Sequence, residues 1–137
     1  AWPPTSFTLG RARVTFIGPA RTQHTDSRDD GLTLRIDYGQ TSVVVTGCIT
    51  SNGEKEIVSS GAAAACDALI VSRGGTEAAT CAEWVEAAKP KVALITGKNP
   101  ANSVRIRLQK YGATVYAAKE NGVMTLFSDG QEITVEP

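Results

Sequence analysis

Ala68-Leu-Ile-Val-Ser-Arg-Gly-Gly-Thr76 runs from an apolar stretch through a glycine pair to a helix-capping residue. Ala68 to Val71 has the length and side chains of a strand buried on both faces. Gly74 and Gly75 suit a tight loop, and Thr76 is an N-cap residue predicted to open a helix over about Glu77 to Lys89. Cys81, Trp84, Val85 and Ala88 form an apolar stripe at helical spacing, so Trp84 is expected in the core, and Pro90 ends the helix. A strand, a loop and a helix in this order form the repeating unit of an α/β sheet.

The unit recurs downstream. Val92-Ala-Leu-Ile95 reads as another buried strand, followed by the loop Thr96-Gly-Lys-Asn-Pro-Ala-Asn102. From Ser103 to Tyr111, Val104, Ile106 and Leu108 alternate like a strand, whereas Val104, Leu108 and Tyr111 fit a helix. Ser103 as N-cap and Gly112 beyond the end decide for the helix. The end reads as a meander: strands at Thr114–Ala117, Val123–Phe127 and Gln131–Val135, with a tight turn at Asn121-Gly122.

Upstream the pattern is strand-rich. Residues 1–6 read as a linker because Pro3 and Pro4 block regular structure, leaving 7–137 as a single domain. Phe7–Leu9 and Arg13–Ile17 read as short strands, and Pro19 to Asp30 as a long polar loop. Leu32, Leu34, Ile36 and Tyr38 alternate with Thr33, Arg35 and Asp37, the pattern of a strand with one wet face. Gly39-Gln40 turns the chain into the apolar strand Ser42–Thr46, and a short helix over Glu54 to Ser60 is capped by Ser51 or Asn52. The predicted class is α/β (α+β), a mixed sheet with about three helices on one face. A continuous apolar strand needs cover on its other face too, so a second copy or a further part of a longer chain is expected there.

Composition narrows the function. The 137 residues carry 42% hydrophobic and 20% charged side chains, an ordinary globular balance. Fourteen basic and fourteen acidic residues cancel, so there is no global field for nucleic acid or anionic membrane, and any such binding is local. No apolar run approaches the ~20 residues that span a bilayer. The start, Ala1-Trp-Pro-Pro-Thr5, lacks Met, a basic region and an apolar region, and is expected to be internal to a longer protein. Cys48, Cys66 and Cys81 are odd in number and widely spaced, so free thiols are expected.

Several of these stretches together resemble the C-terminal part of the metallo-β-lactamase-like domain of ComEC-type DNA internalization proteins. The similar segments are Leu32-Thr-Leu-Arg-Ile-Asp-Tyr-Gly39 with Val43-Val-Val-Thr-Gly47, then Cys66 to Thr76, Ala88-Lys-Pro-Lys-Val-Ala-Leu-Ile95, Gly97-Lys-Asn-Pro100, Leu108 to Tyr116, and Asn121 to Leu126. The resemblance spans about Phe7 to Val135 and implies half of an αββα sandwich. It also implies a bacterial inner-membrane parent that brings single-stranded DNA into the cell, with this segment a soluble domain that does not itself insert.

The departures from that family concern its metal ligands. Its H-x-H-x-D-H motif belongs to an N-terminal half that this sequence does not contain. The Asp of its T-G-D motif corresponds to Cys48, the two histidines of P-H-H-G-S to Arg73 and Gly74, and the histidine of G-H-P has no counterpart beside Ala101 and Asn102. A two-metal hydrolase needs imidazoles and carboxylates to hold its ions and activate water. The chain is therefore expected to be a metal-free, cofactor-free and non-catalytic remnant, acting as a structural or interaction module. A second reading makes it half of a metal-dependent hydrolase completed by an N-terminal half outside this sequence.

Two loops carry a positive expectation. Ser72-Arg-Gly-Gly-Thr76 and Gly97 to Ser103 each follow a strand and precede a predicted helix, where open sheets bind ligands and helix N-termini attract anions. Arg73, Gly74, Gly75, Thr76, Lys98 and Asn99 are the candidate contacts for phosphate or single-stranded DNA. The only histidine, His24, sits near Asp26, Asp29 and Asp30. The cluster has the oxygen donors for a divalent ion, but a solvated loop is the preferred reading. No Gly-x-Ser-x-Gly elbow and no phosphate-binding P-loop is present.

Overall fold

A computed structural model describes residues 5–136. Seven strands lie side by side in chain order: β1 (Ser6–Leu9), β2 (Ala12–Gly18), β3 (Thr33–Tyr38), β4 (Thr41–Val45), β5 (Ala68–Ile70), β6 (Val92–Ile95) and β7 (Thr114–Ala117). β1 to β4 pair antiparallel, and β4 to β7 pair parallel. Parallel neighbours need crossovers, and these are α1 (Ser51–Ser59), α2 (Ala82–Ala88) and α3 (Asn102–Lys110). A one-turn helix, α4 (Ala118–Asn121), and a separate hairpin of β8 (Thr125–Ser128) and β9 (Ile133–Glu136) follow.

The strand register explains where the core sits. Val44, Leu69, Ala93 and Val115 are aligned across four strands and point to one face. There they join Ile57 of α1, Trp84 and Val85 of α2, and Val104 and Leu108 of α3 in one apolar cluster. The three crossover helices thus cover a single face, and the α+β class is as the sequence predicts. Trp84 is fully buried. A fully buried large apolar side chain contributes roughly 2–3 kcal/mol from burial alone.

The opposite face is also apolar. Phe16, Leu34, Val45, Ile70, Leu94 and Tyr116 form one row across it. Of these only Leu94 is buried; the rest are half-buried. The tip of the β8–β9 hairpin meets one end of the sheet, where Gln40 N–H donates to Gly130 O at 2.6 Å and the Thr41 and Ser128 hydroxyls lie 2.6 Å apart.

Several sequence expectations need correction. The helix predicted from Glu77 begins only at Ala82. The preceding turn cannot continue it: Thr80 has φ of 60°, and the Thr80 and Cys81 N–H groups are taken by the Glu54 carboxylate. Lys89, at φ 39°, ends the helix ahead of Pro90. α1 starts at Ser51 with Thr50 as cap, not within the run opened by Ser51 or Asn52. Asn102 and Ser103 both lie inside α3, whose cap is Ala101. The final meander is split, because β7 belongs to the large sheet, α4 intervenes, and only β8 and β9 pair with each other.

In β3 it is the polar set that faces the helices. Arg35 is aligned with Val44, Thr33 is fully buried, and Leu32 is exposed. Arg35 reconciles its charge with this position by donating to the carbonyls of Ala63 and Ala65 and to Asp37. β1 already begins at Ser6; residues 1–4 of the expected linker, and residue 137, lie outside the described residues.

Candidate functional site

The ends of β4, β5 and β6 open onto a cleft of about 520 Å³, lined among others by Gly47, Cys48, Arg73, Gly74, Thr96 and Arg28. This is the carboxyl end of the parallel strands, where open sheets bind ligands. The chain reaches it through a 3₁₀ turn, Ser72–Gly75, directly after β5. Arg73 takes the left-handed conformation (φ 52°), and its N–H donates to Gly47 O at 2.9 Å. Ser72 Oγ donates to Ile49 O at 2.5 Å. A non-glycine residue in this region costs about 1 kcal/mol and persists only where its surroundings hold it.

The two loops expected to share a site do meet. A Cβ on Gly74 would lie 2.8 Å from Gly97 Cα, so the backbones touch and only glycine fits. Ala101 N–H donates to Gly75 O at 2.9 Å, tying the start of α3 to the same turn. Gly75 is buried, and Thr76 ends the turn with its hydroxyl buried and without a partner among the described residues. Thr76 is not the cap of α2, and no α-helix N-terminus stands beside Arg73, because α2 starts at Ala82. Lys98 and Asn99 are exposed and outside the cleft lining.

The second cation at the cleft is Arg28, which sequence reasoning missed. It sits on a 3₁₀ turn, Ser27–Asp30, capped by Asp26. Asp26 Oδ1 accepts from the Arg28 backbone at 3.0 Å and from Arg28 Nε at 2.9 Å. These hydrogen bonds, reinforced by the charges of Arg28 and Arg73, pull the Asp26 carboxyl down to about 2. The Asp26-x-Arg28 spacing signals the local turn, but nothing in the sequence ties that turn to the β5 loop. Arg73 Nη1 is buried with no hydrogen-bond partner among the described residues.

These residues do not suit a divalent metal centre. A thiol and two guanidinium groups line the place where the family resemblance puts one, and fixed positive charge repels a cation. Among the described residues no three His, Cys, Asp or Glu side chains come together to hold an ion. The three cysteines are free: Cys48 exposed, Cys66 buried and Cys81 half-buried. Burial pushes the Cys66 thiol up to about 12 and the Cys81 thiol up to about 11.

The 19–30 segment is largely exposed, as its polarity predicts, with Asp29 its one buried residue. Each acidic residue has a separate protein partner, which also disperses the oxygen cluster considered for a metal. Asp26 holds Arg28. Asp29 is buried and accepts from Thr50 N at 2.7 Å and Thr50 Oγ1 at 2.8 Å, serving the N-terminus of α1 in place of a local cap. Asp30 and Glu56 hold His24, beside a second cleft of about 720 Å³ that Arg21, Asn52 and Lys55 also line.

The class of protein defined by these features is an α+β domain with a cationic cleft at the carboxyl ends of its parallel strands. The chain is similar to ComE operon protein 3 of Bacillus subtilis (strain 168), 26% identical over 114 residues, covering 79% of this chain and 15% of the relative. The matched stretch is thus well under a fifth of that relative's length. No protein-family model matches the chain. No helix among the described residues is long and apolar enough to cross a membrane.

Proposed function

We propose that this chain is a non-catalytic, metal-free remnant of a metallo-β-lactamase-like domain in a ComEC-like DNA-uptake protein. It works as a structural or interaction module, and its cleft contacts the phosphate backbone of single-stranded DNA. The observation that carries this reading is the pair Arg28 and Arg73 at one cleft, with Arg73 Nη1 buried and without a partner among the described residues. Guanidinium groups suit phosphate oxygens because their N–H donors are planar and fixed. The similarity to a competence operon protein supplies the biological setting. The half-buried sheet face fits the remaining half of an αββα sandwich, from a longer chain or from a second copy, within a parent anchored in a bacterial inner membrane.

The test is fluorescence anisotropy with a single-stranded oligonucleotide at low and moderate salt. Arg28→Ala and Arg73→Ala are each expected to weaken binding several-fold and to flatten its salt dependence by about one phosphate contact. Lys98→Ala, outside the cleft, is expected to have a smaller effect. Binding that is absent, or unchanged in the double arginine variant, rules the interface out.

A further inference from the structure

His24 lies between β2 and the Ser27–Asp30 turn, with its side chain 4% exposed. Its Nδ1 is 2.7 Å from Asp30 Oδ1, and its Nε2 is 2.6 Å from Glu56 Oε2 on α1. An ionised carboxylate only accepts hydrogen bonds, so each contact needs a proton on the ring nitrogen. Neutral imidazole carries one such proton and imidazolium carries two. We infer that His24 is a proton-operated latch fastening the segment 19–26 to helix α1, closed while both ring nitrogens are protonated and released when one proton leaves.

The surrounding charges decide which end opens. The segment brings Arg21 and Asp26, the turn brings Asp29 and Asp30, and α1 brings Lys55 and Glu56. Asp29 is engaged by Thr50 and Asp26 by Arg28. Glu56 has a second cation, with Arg21 Nη2 3.0 Å from its Oε1. Asp30 has His24 as its one ion-pair partner among the described residues. The remaining ring proton therefore stays at Nδ1, facing Asp30. Nε2 and Glu56 Oε2 are then two lone-pair atoms in contact, and this joint with α1 separates. Arg21, itself largely exposed, is left as the tie between this stretch and Glu56.

The hydrogen bond to Asp30 raises the His24 pKa above 6.5, burial opposes the rise, and Glu56 adds to it. Because the folded-state value lies above the unfolded one, the stability the latch contributes is fully present below 6.5 and is lost as pH climbs through the folded-state value. His24 is the only histidine, so its ring resonances report on it without assignment ambiguity.

The experiment is a ¹⁵N and ¹H NMR titration of the 137-residue chain from pH 5 to 9, with backbone ¹⁵N relaxation followed in parallel. Both ring nitrogens are expected to be protonated at pH 6, with a midpoint above 6.5. The ¹⁵N order parameters of residues 22–26 are expected to fall from about 0.85 toward about 0.6 or below across that midpoint, as the joint to α1 opens. Glu56→Gln keeps an acceptor oxygen but removes the charge, so it should lower the midpoint and move the loosening to lower pH. The inference is overturned by a midpoint at or below 6.5, by titration that leaves the 22–26 amides unmoved, or by a Glu56→Gln variant that titrates like the parent.

Discussion

Glu54 Oε2 accepts a 2.8 Å hydrogen bond from the Thr80 N–H, so the first crossover helix fixes the point at which the second begins. Its other oxygen takes the Cys81 N–H at 2.9 Å, and Arg107 of α3 donates to Thr80 O at 2.6 Å. Glu54 is fully buried, and burial pushes its pKa up to about 7 although both N–H bonds pull it down. The folded state therefore binds its proton more tightly than the unfolded chain. Between pH 4.5 and about 7 the contribution of this group to stability falls as pH rises, by about 3 kcal/mol over the window. Urea unfolding of the parent and Glu54→Ala at several pH values checks this. The variant should lose about 2–3 kcal/mol at pH 5 through two unpaired N–H groups, and its difference from the parent should shrink toward pH 7.

The second prediction concerns a helix glycine. On propensity alone Gly53→Ala, in the first turn of α1, should stabilise by up to about 1 kcal/mol. A Cβ there would lie 2.6 Å from Asp29 Oδ1, the oxygen that accepts from Thr50 N. Gly53→Ala is therefore expected to lower the melting temperature, because the buried carboxylate is pushed from its partners. Asp29→Ala should destabilise by about 2 kcal/mol. The double variant should cost less than the sum, since Asp29 is what the new methyl strikes. An additive or stabilising result would contradict this account.

What the sequence revealed depended on whether local pattern and tertiary partner agreed. Ala68–Ile70, Val92–Ile95 and α3 follow local apolar period, and the register then places all three crossover helices on one face. The start of α2 was hidden because a carboxylate from α1, distant in sequence, outcompetes the Thr76 cap for the local backbone. β3 misled for a similar reason: Arg35 faces the helices because the carbonyls of Ala63 and Ala65 receive it. In the candidate site, Arg73 and the Gly74–Gly97 contact were approached from strand–loop logic. Arg28 was not, since its place depends on Asp29 being anchored beneath α1.

Thiol chemistry gives a third prediction. Cys48 is exposed at the cleft, whereas burial raises the Cys66 and Cys81 thiols well above their usual range. A native thiol titration at pH 7.5 should show one fast-reacting group, a slow one at half-buried Cys81, and Cys66 responding only on unfolding. Cys48→Ser should abolish the fast phase. A charged modifier on Cys48 that is negative should react faster than a positive one, because Arg28 and Arg73 line the same cleft. Equal rates for the two reagents would argue against a cationic cleft.

The last prediction follows from the charge that already occupies that cleft. Asp26 lies across Arg28 and feels Arg73, so the domain supplies its own carboxylate to the cations proposed to bind phosphate. An incoming phosphate must compete with it. Asp26→Asn keeps the shape and the Oδ1 acceptor for the Arg28 backbone but leaves the two guanidinium groups uncompensated. Affinity for single-stranded DNA or inorganic phosphate should rise roughly three- to tenfold at low salt, and less at high salt where the field is screened. Acidification cannot substitute for the variant: with its pKa near about 2, Asp26 stays charged throughout pH 4 to 8. A pH-dependent gain in binding over that range would point to another group, whereas an unchanged or weakened Asp26→Asn protein would show that the carboxylate positions Arg28 and does not compete for it.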